Sequence, residues 1–214
     1  MASSPSVPPF LRLPIELRYA IYDHLCLSSP LSYPYKSPSP ITSIDMHGPP
    51  TSLLLTNRTI FEELSTYYFS RCTFYFVAQS FLTRSSPISP GSLLVVQKAR
   101  RIELLLLPGT MKASPTHPST VSITVKQMSA HWLSEHVRLL RDEARELKVV
   151  IVSMRRVSWN HEWSMRREME ALLRPLEELR RTGTEFRVGE VIGPGIVETQ
   201  MRKELGSVLE RLNM

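Results

Sequence analysis

Glycine and cysteine are scarce in this chain, and long apolar runs are missing. Of 214 residues, 8 are glycine and 2 are cysteine. Two cysteines cannot build a disulfide framework, and neither Cys26 nor Cys72 has a second ligand at a zinc-like spacing, so a reducing, intracellular setting (cytoplasmic or nuclear) is expected. The longest apolar runs, around Leu104 to Leu107 and Val149 to Val152, fall far short of the ~20 residues of a membrane span. Residues 1–9 lack the charged start and apolar stretch of a signal peptide and read as a disordered N-terminus. Neither membrane insertion nor export is expected.

The chemistry-bearing motifs are missing as well. There is no Gly-x-Ser-x-Gly elbow and no phosphate loop ending in Gly-Lys-Ser/Thr, and Gly193-Pro194-Gly195 lacks the third glycine of a dinucleotide loop. His131 and His136 stand five positions apart, about 140° around a helix, and no His-Glu-x-x-His occurs. The expectation is a protein that is not an enzyme, with no catalytic residues, no cofactor and no metal site. Asn57-Arg58-Thr59 matches a glycosylation acceptor, but in a chain without an export signal it carries no weight.

Proline, by contrast, is abundant, with 17 residues, and 42% of the chain is apolar, enough for a real core. Only Pro175 and Pro194 lie beyond residue 120. The formal net charge is +6, of which +1 lies in residues 1–95 and +5 in residues 96–214. Basic pairs at Arg100-Arg101, Arg155-Arg156, Arg166-Arg167, Arg180-Arg181 and Arg202-Lys203 raise the alternative of a basic nucleic-acid or phosphate-binding module. Acids interleave with bases, however, as on solvated helix faces, and no zinc-finger or aromatic-interleaved RNA-binding pattern occurs, so nucleic acid is an unlikely partner. Seven Ser-Pro steps fall in expected loops, and Trp132, Trp159 and Trp163 have the spacing of core residues.

Pro14 opens the first expected helix, since a proline at the first helical position loses no hydrogen bond. Leu17, Ala20, Ile21, His24 and Leu25 then share a face that wants a partner surface. Residues 28–50, with six prolines, read as a mobile insertion or linker. A second helix is expected over Ser52 to Ser70, with Glu62 and Glu63 on its wet side, followed by a strand over Cys72 to Val77 and a loop over Ser85 to Gly91. Strand and helix signals then alternate: a strand at Arg101 to Leu107, a weaker one at Val121 to Val125, a helix from Met128 to Leu147 and a strand at Lys148 to Met154. A helix over Trp159 to Thr182 should break near Leu173 because of Pro175. The last strand is Glu185 to Ile192 and the last helix Ile196 to Leu212. Strands joined by long helical connections imply crossovers in a largely parallel sheet.

The stretch Phe10-Leu-Arg-Leu13-Pro14-Ile-Glu-Leu17-Arg-Tyr-Ala-Ile21-Tyr22-Asp-His-Leu25 resembles the opening helix of F-box domains. It resembles more closely the F-box-like N-terminus of a group of fungal proteins of unknown function, in which a segment ending in Ile-Tyr precedes an apolar run, a polar-Arg step, a Glu and a short aromatic strand. Ser52 to Leu64, with Arg58 and Glu62, and the following Tyr67, Tyr68, Phe74 and Phe76 fit that second block. The resemblance covers residues 10–77, with the proline-rich insertion 28–50 as a departure from compact F-box helices. Together with the alternating strand and helix signals beyond it, the resemblance leads to the expectation of an α+β protein: a helical F-box-like N-terminal module (10–77) followed by a small, mostly parallel α/β sheet with crossover helices (78–214). It also implies protein binding, with Leu13, Pro14, Leu17, Ile21 and Leu25 as the stripe facing a Skp1-type adaptor of a cullin-RING ubiquitin ligase and the remainder recruiting an unidentified protein substrate. In a third reading the stripe is buried internally and the protein is structural.

Overall fold

The computed structural model describes residues 8–25, 28–32, 39–78, 88–107, 118–155 and 165–214, and the side chains of 28–32 and 118–128 are outside that description. Trp159, Trp163, Cys26 and residues 85–87 of the expected loop at 85–91 lie outside the described residues.

A 3₁₀ turn at Pro9–Arg12 leads into α1 (Ile15–Leu25), whose first turn is closed by the Leu17 and Arg18 amides donating to the Pro14 carbonyl. Strands β1 (Ser28–Ser32) and β2 (Ser43–Met46) follow. In its described parts the proline-rich stretch is therefore strand and ordered backbone, not a linker. Composition misled because Pro30 sits on the outermost strand of the sheet, where a missing N–H breaks no inner ladder. Ile41 and Ile44 are buried, and the Thr42 amide and hydroxyl both donate to the Tyr75 carbonyl at 2.8 Å, tying β2 to the sheet.

The expected second helix is two helices, α2 (Thr51–Leu54) and α3 (Arg58–Arg71). Asn57 separates them: its backbone is extended and its side chain accepts from the Thr59 amide at 2.8 Å, an N-cap that starts a new helix. Thus Asn57 acts as a cap. Strand β3 (Thr73–Val77) comes next, then α4 (Pro90–Lys98), a helix not anticipated from the sequence although Ser89 as N-cap before Pro90 is its start signal. After β4 (Arg101–Leu106), α5 spans Pro118–Glu143 and absorbs the expected strand at Val121 to Val125. Extending a helix already nucleated by the Met128 to Leu140 pattern costs only a few tenths of a kcal/mol per β-branched residue, so local strand preference loses.

Strand β5 (Val149–Arg155) leads to α6 (Met165–Leu173), which ends where Pro175 requires it. A 3₁₀ turn at Arg174–Leu176 bridges to α7 (Glu177–Arg180), and Gly183, at φ +74°, reverses the chain into β6 (Glu185–Ile192). Finally α8 (Ile196–Asn213) closes the chain.

The six strands among the described residues form one sheet in the order β1-β2-β3-β4-β5-β6, antiparallel from β1 to β3 and parallel from β3 to β6. The expected α+β class with a mostly parallel sheet holds. Because β3 pairs with β4 along its length, from Thr73 opposite Arg101 to Val77 opposite Leu105, the division placed at 77/78 runs through the middle of this sheet. Sequential strand order has a further consequence: crossovers of one hand deposit every connecting helix on the same side. Phe74, Phe76, Ile102, Leu104, Val150, Val152 and Phe186 point to that side and are buried, whereas Tyr75, Arg101, Glu103, Val149 and Ile151 on the other are half-buried.

At the β5–β6 register shift, the Ser153 hydroxyl donates to the Glu103 carboxylate at 2.6 Å and accepts the Glu190 amide at 2.8 Å. Gly189 faces it, and a Cβ there would lie 2.1 Å from the Ser153 Oγ, so only glycine fits this bulge. Burial pushes the Glu103 carboxyl above its usual range, opposed by the Ser153 hydrogen bond.

Candidate functional site

Helix α1 is held by its aromatic and charged side chains, not by its aliphatic stripe. Tyr22 is fully buried; its ring centroid lies 5.7 Å from that of Tyr67 on α3 and 5.9 Å from that of Phe10. Tyr19 lies with its ring tilted against the same Tyr67 ring, centroids 4.8 Å apart, and the Tyr67 hydroxyl donates to Asp23. Burial and the adjacent Glu63 push the Tyr22 phenol up to about 12.

Arg18 completes the attachment. Its guanidinium meets Glu63 of α3 in a two-pronged pair at 2.9 and 2.7 Å, and it also donates to the Leu13 carbonyl, fixing the Leu13-Pro14 step that opens the helix. Glu63 was expected on the wet side; instead this pair draws it against α1, and the Arg18 hydrogen bond holds its carboxyl below the usual carboxylate range. A second, more exposed pair joins Asp23 to Arg71 at 3.1 Å.

With that face committed, the stripe turns outward. Leu17 is 53% exposed, Ile21 37%, Leu25 39%, and the neighbouring Ile15 42%; Pro14 is exposed and Leu13 partly so. The reading in which the stripe is buried inside the protein does not hold for Leu17, Ile21 and Leu25. The physical reason is that Tyr19, Tyr22 and Arg18 occupy the inward arc and bring more buried area and stronger hydrogen bonds than three aliphatic side chains offer.

The basic pairs scatter across the molecule. Arg100 pairs with Glu146, Arg155 with Glu190 and Arg166 with Glu170, while Arg141 reaches both Asp142 and Glu178. Several of the C-terminal arginines are thus met by a nearby carboxylate. His136 is not a metal ligand in waiting: its ring stacks on Trp132 at 4.0 Å, its Nδ1 lies 2.8 Å from the Trp132 carbonyl oxygen, and burial holds its pKa below the usual value. His131 faces Glu135 instead. Among the described residues no group of three histidine, cysteine or carboxylate side chains is placed to hold a metal, and no helix is long and apolar enough to cross a membrane. Cys72 is buried, and burial pushes its thiol up to about 12, which leaves it a packing residue.

The fold and this surface define an α+β protein whose helices layer one side of a sequentially ordered sheet and whose first helix presents an apolar stripe to solvent. No family model matches the chain, and no curated protein or solved structure is similar to it.

Proposed function

We propose that the protein is a non-enzymatic interaction module that docks a partner on the exposed stripe of α1, Leu13, Pro14, Leu17, Ile21 and Leu25, and that the partner is a Skp1-type adaptor, as the F-box-like resemblance of residues 10–77 implies. The observation that carries this reading is the outward turn of Leu17, Ile21 and Leu25 on a helix whose other face is anchored by Tyr22 and Arg18. A rigidly held helix offering aliphatic side chains loses little conformational entropy when it binds. Although β1 and β2 intervene in the chain, α1 lies directly against α3, so the two blocks of the resemblance are neighbours in space.

Magnitude limits what the stripe can do alone. Burying the exposed parts of three aliphatic side chains yields about 1 kcal/mol each, while a micromolar complex requires about 8 kcal/mol. The partner must therefore cover neighbouring surface, and Ile15 lies next to the stripe. In this reading the remainder of the chain recruits a protein substrate.

Titration calorimetry of the purified chain against a purified Skp1-type adaptor tests the proposal. Wild type should bind, and Leu17→Asp with Ile21→Asp should abolish the heat while leaving the circular dichroism spectrum unchanged. Absence of binding by wild type, or equal binding by the folded double variant, sinks it.

A further inference from the structure

The other end of the molecule carries a second surface. A groove of about 660 Å³ opens between the α6–α7 segment and the last turns of α8. Its floor is apolar, made by Leu173, Val208 and Leu212, and its rim carries Arg174, Arg180 and Arg181. Glu170 and Arg211 also line it, but they satisfy one another at 2.6 Å, and Glu170 is further engaged by Arg166. Glu178, the other nearby acid, is taken by Arg141 at 2.5 Å. Among the described residues, none of Arg174, Arg180 and Arg181 has a carboxylate within ion-pair distance, and only Glu177 opposes them on the rim.

This distinguishes the groove from the basic pairs that include Arg100, Arg155 and Arg166; among the described residues Arg202 and Lys203 also lack a carboxylate partner but do not line the groove. Arg100, Arg155 and Arg166 have their charges met by a neighbouring carboxylate, whereas here three guanidinium groups, which suit planar two-pronged recognition of carboxylate or phosphate, converge without one. The lining carries four arginines against Glu170 and Glu177, and a concave site of net positive charge concentrates its field on the groove. The apolar floor adds a second requirement, since nucleic-acid backbone or a free anion has nothing to place on Leu173, Val208 and Leu212. The occupant that satisfies both is a peptide alternating acidic and aliphatic side chains.

The geometry points to this groove as a docking site for an acidic, leucine-containing segment of another protein, with Arg174, Arg180 and Arg181 holding its carboxylates and the Leu173–Val208–Leu212 floor receiving its aliphatic side chain. The site is independent of docking at α1: the groove borders α8 at the β6 end of the sheet, while α1 packs on α3, which leads into β3.

Fluorescence anisotropy of the full chain with a labelled Glu-Leu-rich peptide tests this. The peptide should bind, and Arg180→Glu with Arg181→Glu should weaken binding about tenfold or more, whereas Arg202→Glu with Lys203→Glu, an exposed basic pair away from the groove, should change it less than about threefold. Replacing the peptide's leucines by glycine should weaken binding about fivefold. Equal losses in both charge-reversed variants would mean general charge attraction and overturn the site. So would undiminished binding of the glycine peptide, failure of the Glu-Leu peptide to bind, or tighter binding of a short single-stranded DNA that is lost with the same Arg180 and Arg181 changes. All four arginine and lysine positions are exposed, so both variants should retain the wild-type unfolding midpoint.

Discussion

Helices α1 and α8 have the same kind of aliphatic repeat and treat it in opposite ways. On α8, Met201, Leu205, Val208, Leu209 and Leu212 are all buried against the sheet and α6. On α1, Tyr22 is the one fully buried side chain, and Leu17, Ile21 and Leu25 face outward. A repeat near 3.6 residues establishes that apolar side chains share a face; it does not establish that this face is the inward one. On α8 nothing competes with the aliphatic face, because the opposite side carries Arg202, Lys203 and Glu210. On α1 a tyrosine-arginine face competes and prevails.

Substitutions can break this comparison, the largest effect first. Tyr22→Ala should destabilise by about 3–5 kcal/mol, since it empties the aromatic contact with Tyr67 and Phe10. Leu205→Ala on α8 should cost about 2–5 kcal/mol, while Leu17→Ala on α1 should stay within about 0.5 kcal/mol. Urea titrations of the three variants decide the matter, and a Leu17→Ala loss as large as that of Leu205→Ala would mean that the stripe is not free. Gly189→Ala, which forces a methyl against the Ser153 hydroxyl in the strand under α8, should cost about 1–3 kcal/mol.

Acid sharpens the contrast between the two ends. Glu63 at α1 and Glu170 at α8 both ionise more readily than an ordinary carboxylate, because Arg18 and Arg211 donate to them. A carboxyl whose folded pKa is depressed contributes stability that is fully present above its unfolded value and is lost as pH falls through the folded value. Glu63→Gln should therefore flatten the acid limb of a stability–pH curve, and the effect should survive high salt because the Arg18–Glu63 pair is largely buried. Glu170→Gln should have a smaller effect that salt removes, as its pair is exposed. His136 acts with the same sign at somewhat higher pH: neutral in its buried site, it opposes folding increasingly as pH falls below the usual histidine value, and His136→Phe should remove that component. The smallest expected effect is that of Leu17→Asp on stability, near zero, against its expected abolition of adaptor binding when combined with Ile21→Asp.

The parallel half was legible because its signals are local and agree with one another. The runs Ile102 to Leu106 and Val149 to Met154 are buried strands, Pro175 breaks a helix where an interior proline must, and Gly183 takes the positive φ of a helix stop. The proline-rich half was not legible in the same way. Whether Pro30 terminates a strand or sits harmlessly on an edge depends on which strand is outermost, and whether Val121 to Val125 forms a strand or a helix turn depends on a helix nucleated downstream. Neither fact is local. Asn57, by contrast, carried a cap signal in plain view, as did the Ser89-Pro90 start of α4.

The candidate surfaces divide along the same line. The sequence by itself determined that Leu17, Ile21 and Leu25 share a face and that arginines come in pairs, because both follow from spacing along the chain; Leu13 and Pro14 join that stripe through the F-box-like resemblance. Only the tertiary structure decided that the stripe faces solvent, since that outcome depends on Tyr67 and Glu63, which lie more than a helix away in sequence and win the inward face through ring contact and a charge-assisted pair. It also decided which arginines are left over. Carboxylates from separate elements neutralise Arg100, Arg155 and Arg211 and leave Arg174, Arg180 and Arg181 facing a groove, and a pairing across elements has no periodicity for a sequence to reveal.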